Sequence, residues 1–234
     1  EKKLEIEDLF PLDQYHARGI AATIELADKL NFTKNSNIVD IGCGLGGPAR
    51  YFSKRFSCNV YGIDITEAFI EIGNYFNKLT QIDHQVKLLK GDGENLPYQT
   101  EFFDGAVSQH VTMNIENREQ FFNEAFRVLK KGAIFGFSEH GLGTKGSPIF
   151  PLPWADNEDM SFLKTPEYTK SLLKKIGFKN IKIISTGEKY ISGYNSLLKK
   201  GQSNEKPTLG IHVIGGDSMF CLLYTSPSPR DIRW

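Results

Sequence analysis

Apolar and polar positions along this chain alternate between two rhythms. Short, nearly unbroken apolar runs at 37–42, 59–64, 85–92, 102–109, 132–139 and 180–187 read as buried strands. Between them lie stretches with helical period. Residues 13–30 start at a potential cap, Asp13, and set Ile20, Ile24, Ala27 and Leu30 on one face. Residues 66–79 start at Thr66 and align Phe69, Ile72, Phe76 and Leu79; residues 118–130 align Phe121, Phe122, Ala125, Val128 and Leu129. Residues 49–56 and 190–200 are also helix-compatible. Thr165-Pro166-Glu167 is a helix start, with a cap, proline in the first turn and an acid at the positive end, and Gly177 is its stop. Strand and helix in repeated alternation predict an α/β fold with a doubly wound, mostly parallel sheet covered on both faces. In such sheets ligands gather at the carboxyl ends of the strands.

The strand ends are therefore where chemistry is sought. At the first, NIVDIGCGLGGPARYF (37–52), glycines stand at alternate positions, Gly42, Gly44 and Gly46, and a helix follows near Pro48. Glycine tolerates positive φ and lets a ligand approach the backbone. The helix start offers unpaired N–H groups. Gly42, Gly44 and Gly47 also satisfy G-x-G-x-x-G, the dinucleotide fingerprint. Asp40, just before the glycines, repels a pyrophosphate and attracts a ligand with a positive amino group. Asp64 ends the second strand about 20 residues on, where a carboxylate can accept from ribose hydroxyls. Asp92, in GDGENLP (91–97), follows the third strand and can accept from an adenine amino group.

Bulk properties narrow the partners. The chain has 234 residues, with 28 Lys+Arg and 28 Asp+Glu, so formal net charge is zero; no basic patch points to nucleic acid. Its 40% hydrophobic content is that of a globular protein. No apolar run is long enough to span a bilayer, so no membrane partner is expected. Three cysteines, Cys43, Cys58 and Cys221, lack metal-ligand spacing and fit a reducing, cytoplasmic setting. The segment CLLYTSPSPRD (221–231) is similar to a translated sequencing-library adaptor. The expected domain is therefore residues 1–220, with 221–234 a non-native tail.

The series Asp-x-Gly-x-Gly-x-Gly at 40–46, GDGENLP, Phe103-Asp104 before the fourth strand and RVLKKGAIFG before the fifth resembles the class I S-adenosylmethionine (SAM) methyltransferases over residues 10–220. The nearer likeness is to sarcosine/dimethylglycine N-methyltransferases and quinone-biosynthesis C-methyltransferases. LDQYHARGIAATIELA, QHVTMNI and PLPWA are similar to segments of a bacterial-type subgroup. The resemblance implies a Rossmann-like methyltransferase sheet whose final antiparallel strand is missing here, and SAM as cofactor. It implies that Gly42, Gly44 and Gly46 approach the methionine portion, that Asp40 holds its ammonium, and that Asp64 takes the ribose. It places Ile65 on adenine, Asp92 and Gly93 along the adenine edge, and Gln109 beside the sulfonium.

The implied reaction is in-line displacement at the methyl group, moving it to a small-molecule acceptor such as an amine. Alignment supplies most of the rate, and a nearby imidazole can take the acceptor's proton. Candidates are His110, His16 and His140, with His84 and His212 structural. Gln14, Asn114 and Arg18 are candidates for substrate contacts. Trp154 either closes over the site or anchors its loop, and the N-terminal helix serves as a lid. Two alternatives stand beside this reading: an NAD(P)-binding oxidoreductase, and a SAM-binding protein without activity.

Overall fold

Five of the six apolar runs become strands: β1 (Asn37–Ile41), β2 (Asn59–Asp64), β3 (Val86–Lys90), β4 (Phe103–Gln109) and β5 (Leu129–Ser138). They form one parallel sheet in the order β3-β2-β1-β4-β5. The computed structural model describes residues 4–143, 147–201 and 213. These fall into two units, 4–111 with 117–139, and 112–116 with the described residues from 140 onward. Among the described residues no antiparallel strand joins the sheet. The expected tail at 221–234 and final strand lie outside them, as do His212 and Cys221. No helix among them is long and apolar enough to cross a membrane.

In the first unit the helices are α1 (Phe10–Asp13), α2 (Ile20–Ala27), α3 (Gly47–Phe56), α4 (Glu67–Leu79) and α5 (Arg118–Val128). Ile38, Val39, Ile41, Val60, Ile63, Ala106 and Val107 are fully buried, as a sheet covered on both faces requires. The face of α5 is as the periodicity predicts: Phe121, Phe122, Ala125 and Val128 are all fully buried.

Two helices differ from expectation. The helix expected at 13–30 is broken in two. Arg18 and Gly19 take positive φ, 69° and 50°, and the side chains of Gln14 and His16 are directed onto Thr23. On α2 the buried residues are Thr23 and Ala27, while Ile24 is 40% exposed. On α4 the buried residues are Ile70, Gly73 and Asn77, while Ile72 and Leu79 are exposed.

The cause in α4 is Arg50. This guanidinium on α3 is fully buried. Its Nη1 donates to Asn77 Oδ1 at 2.6 Å and to the Gly73 carbonyl at 3.2 Å. Its Nη2 donates to the Leu45 carbonyl at 2.6 Å and to Asp13 Oδ2 at 2.9 Å. A buried charge needs such partners, and small or polar residues on α4 supply the room and the acceptors. Asp13 is therefore an ion-pair partner rather than a helix cap. With Ile6 and Leu9 also buried, the N-terminal segment is packed structure.

The second unit contains α6 (Pro166–Ile176) and α7 (Gly187–Gly201). Thr165 caps α6 by accepting from the Tyr168 amide, and Gly177 ends it. The strand expected at 180–187 does not form: 181–186 are irregular, Ile183 and Ile184 are half-exposed, and helix starts at Gly187. An apolar run becomes a strand only against a ladder partner, and none pairs with it among the described residues. Trp154 packs into a small apolar cluster with Met113, Leu152, Ala155 and Leu163, and anchors its loop there. Asn114 belongs to this unit too.

Replacing Asp13 by Ala strips the carboxylate that, among the described residues, is bonded to the buried Arg50 guanidinium. The expected cost in urea denaturation is about 3–5 kcal/mol. A loss below about 1 kcal/mol, the scale of an exposed pair, contradicts the structural role. The double variant Asp13→Leu/Arg50→Met should lose less than the sum of its single changes.

Candidate functional site

The carboxyl ends of β1, β2, β3 and β4 bring most of the expected residues to one edge of the first unit. Three glycines of the turn after β1 take positive φ: Gly42 at 79°, Gly44 at 53° and Gly46 at 78°. A side chain at Gly42 would collide with Val111. At Gly44 a Cβ would meet no atom within 4 Å, so that turn faces open space. Gly46 is the left-handed cap of α3.

Two acids sit against this turn. Asp64 Oδ2 accepts from the Gly44 amide at 2.8 Å, and its Oδ1 accepts from the Thr66 amide at 2.9 Å. Each oxygen of a carboxylate has two acceptor positions, so one on each is left beyond these bonds. Asp40 is 1% exposed, and its Oδ2 has no hydrogen-bond partner. Burial, with the Asp64 charge nearby, pushes its carboxyl from an ordinary value near 4 up to about 7. Buried acids without partners are rare in folded proteins and mark functional sites. The same surroundings push the Cys43 thiol far up, leaving it an inert buried group.

Beyond β2, Ile65 is 71% exposed, an apolar side chain at a strand end. After β3, Asp92 Oδ1 accepts from the Glu94 amide at 2.8 Å, closing the loop that carries Gly93. A Cβ at Gly93 would press on Phe121 and Ile41.

At the end of β4, Gln109 and His110 meet His16. The two imidazoles stack with centroids 5.5 Å apart. The Gln109 amide nitrogen lies 2.7 Å from His16 Nε2. Burial pushes His16 down to about 4, so at neutral pH the ring is uncharged. His110 holds φ at +57°, an uncommon backbone for a residue with a side chain, and its amide donates to the Ser138 carbonyl at 2.8 Å. Arg18 pairs with Glu25 at 2.7 Å. His140 lies in the second unit, stacked on Trp154 at 4.5 Å.

Three buried groups of this edge escaped the sequence reading: Thr23, Arg50 and the role of Asp13. Thr23 is fully buried, and a polar residue three places after Ile20 and four before Ala27 was the available signal. Arg50 gave none, since PARYFSKRF reads as an ordinary amphipathic helix.

The chain is similar to known proteins. A family model described as a methyltransferase domain matches residues 39–137. Sterol 24-C-methyltransferase of Candida albicans is 32% identical over 114 residues, covering 49% of this chain and 30% of that protein. Sarcosine/dimethylglycine N-methyltransferase of Halorhodospira halochloris is 29% identical over 175 residues, covering 75% of this chain and 62% of that one. The chain thus spans less than two thirds of these relatives' length. Among solved structures, phosphoethanolamine N-methyltransferase 2 of Haemonchus contortus, with S-adenosylhomocysteine, aligns at TM-score 0.77 and 17% identity, over 94% of this chain and 50% of that one. The [4+2]-cyclase SpnF aligns at 0.70 and 20%, over 86% and 74%. At such identities these structures establish the fold.

Asp40→Asn removes a buried carboxylate whose ionisation opposes folding. A folded-state value raised to about 7 favours the fold below the unfolded value near 4 and loses that contribution as pH rises through 7. The variant is therefore expected to melt higher than the parent near pH 8, by the equivalent of roughly 2–4 kcal/mol, and to show little difference near pH 3, below both values. An equal difference at both pH values contradicts a raised Asp40.

Proposed function

We propose that this protein, whose residues 39–137 match a methyltransferase domain model, is a class I SAM-dependent methyltransferase that transfers the methyl group of SAM to a small-molecule amine. The observation that carries the reading is the unpartnered buried oxygen of Asp40 beside the glycine turn. An ammonium there gives the carboxylate a partner, whereas a pyrophosphate gives it a second negative charge. The open space at Gly44 and the exposed face of Ile65 fit the rest of such a ligand. The NAD(P) alternative rests on glycine spacing alone and has no such support.

In this reading Asp40 holds the amino group and the backbone of Gly42, Gly44 and Gly46 lies along the methionine portion. Asp64 offers its remaining acceptor positions to the ribose. Ile65 covers one face of adenine, while Asp92 and Gly93 border its edge. Gln109 and His110 stand on the acceptor side. When bound, SAM supplies a methyl group on a sulfonium that is already activated as a leaving group. What the chain contributes is alignment, worth up to about 7–11 kcal/mol in favourable systems. The amine name of one relative and the sterol name of another leave the acceptor class as the finer part of the proposal. The domain is taken to extend over residues 1–220.

Calorimetry separates the outcomes. SAM is expected to bind and NAD not to bind. Asp64→Ala should weaken SAM by roughly 1–3 kcal/mol, the cost of a lost buried hydrogen-bond partner; unchanged affinity contradicts the ribose assignment. Because the empty site keeps Asp40 up at about 7, ammonium binding should release a proton near pH 6.5. SAM affinity should then rise about tenfold per pH unit below 7 and level off above it. Asp40→Asn should abolish that dependence.

A further inference from the structure

Around Thr23 the protons can be assigned from the groups that can only donate or only accept, with His16 Nε2 and the Thr23 hydroxyl oxygen, 3.1 Å apart, both left as acceptors toward Gln109. His16 Nδ1 faces the Ala17 carbonyl at 3.3 Å and carries the ring proton toward it, which leaves Nε2 a bare lone pair. The Gln109 amide nitrogen lies 2.7 Å from that Nε2 and 3.2 Å from the Thr23 hydroxyl, so its two hydrogens go to His16 and Thr23. The Thr23 hydrogen goes to Gln14 Oε1 at 2.6 Å. Two atoms are left over, the acceptor Gln109 Oε1 and the donor Gln14 Nε2, neither with a partner. Their side chains belong to residues only 7% and 3% exposed. Unsatisfied polar groups at that depth are costly, and two on one network point to a ligand that pairs with both.

Their place supports this. Asp40 pairs with Val107 across β1 and β4, so Gln109, two residues on, stands level with Gly42. That is where the strand order reverses, the position at which open α/β sheets bind ligands.

Resting on the function proposed above, we propose that Gln109 and Gln14 are the polar contacts of the methyl acceptor, and that it is a primary or secondary amine carrying an oxygen acceptor. The unprotonated amine donates its N–H to Gln109 Oε1, which leaves the nitrogen lone pair free to face the methyl group; the C–N bond forms as the C–S bond breaks, giving S-adenosylhomocysteine and an N-methylammonium that loses its proton to solvent. The acceptor's own oxygen takes the Gln14 amide hydrogen. Thr23 and His16 are positioning residues: they turn the Gln109 amide so that its oxygen, not its nitrogen, meets the substrate. An imidazole already occupied by the Gln109 amide, and uncharged at neutral pH, suits that role better than a base's. A tertiary amine without N–H and a sterol alkene both lack the group that Gln109 reads.

The test uses the full chain with radiolabelled SAM and a panel of glycine, sarcosine, ethanolamine, dimethylglycine and a sterol, alongside calorimetry with S-adenosylhomocysteine. Label is expected on at least one amine bearing N–H, in preference to dimethylglycine and the sterol. For that amine, Gln109→Leu should raise KM about tenfold or more, with S-adenosylhomocysteine affinity within about twofold of the parent's. His16→Leu should raise KM similarly. His16→Gln, whose carbonyl can still accept from Gln109, should recover most of the loss without moving the pH profile of kcat/KM. Label on the sterol or dimethylglycine alone, no label on any amine, or an unchanged KM in Gln109→Leu overturns the proposal. A pH profile that loses its acid limb in His16→Gln makes His16 a base and overturns the positioning role. Failure of the parent to bind S-adenosylhomocysteine overturns the function itself, and this proposal with it.

Discussion

The buried guanidinium of Arg50 is the constraint from which much of the first unit follows. It sits in the first turns of α3, directly after the glycine turn, and reaches in three directions. Toward the turn it holds the Leu45 carbonyl, toward α4 the Gly73 carbonyl and Asn77, and toward the N-terminal segment Asp13. A charge with no exposure is tolerable only when its donors are met. Here the partners come from the turn that shapes the ligand edge and from two elements that cover it. Asn77 passes the restraint on, since its amide donates to the Val86 carbonyl on β3. Asp13 feels the same burial: its carboxyl is pushed up to about 6 against the pull of Arg50. The pair therefore organises the unit without adding stability in proportion to its strength, since desolvation offsets much of the attraction.

That constraint also explains which parts of the fold were legible in the sequence. The strands of the sheet read correctly because buried parallel strands announce themselves as apolar runs. Helix α5 read correctly because large side chains alone fill its contact face. The phases of α2 and α4 did not. Their inner faces are set by Thr23, and by Gly73 with Asn77, which serve a polar network and a buried cation rather than an apolar core. Hydrophobic periodicity has no term for such partners, so Ile24 and Ile72 were placed inside when they lie near the surface. The run at 180–187 failed for another reason: strand formation depends on a neighbour that the segment's own residues do not encode.

The ligand edge was legible in proportion to how far its chemistry is local. A strand, alternate glycines and a helix start are contiguous, and Asp40 and Asp64 lie at fixed offsets from them. The same acids show why such a site costs stability. Asp40 is buried beside Asp64 with one oxygen unpaired, an arrangement that a proton or a cationic partner relieves. The fold tolerates it because Asp64 is itself held by the Gly44 and Thr66 amides and cannot relax away. Under the proposed function, ligand binding is coupled to the charge state of one carboxylate near neutral pH.

The side proposed to meet the acceptor was the least legible part, and the reason lies in the broken N-terminal helix. A continuous helix over 13–30 would carry Gln14 and His16 past Thr23 on fixed rotational steps. The break at Arg18 and Gly19 folds the segment back instead, so that residues seven and nine positions apart, His16 and Gln14, both meet the Thr23 hydroxyl. Positive φ at a non-glycine residue is a conformational cost, sustained by surrounding contacts. Here the Arg18–Glu25 pair spans the break, and the hydrogen-bonded run from Gln109 through Thr23 to Gln14 closes it. The interruption that defeats a periodicity reading is thus the feature that carries polar groups of the N-terminal segment to the end of β4. Local propensity gives way where the chain has a site to build.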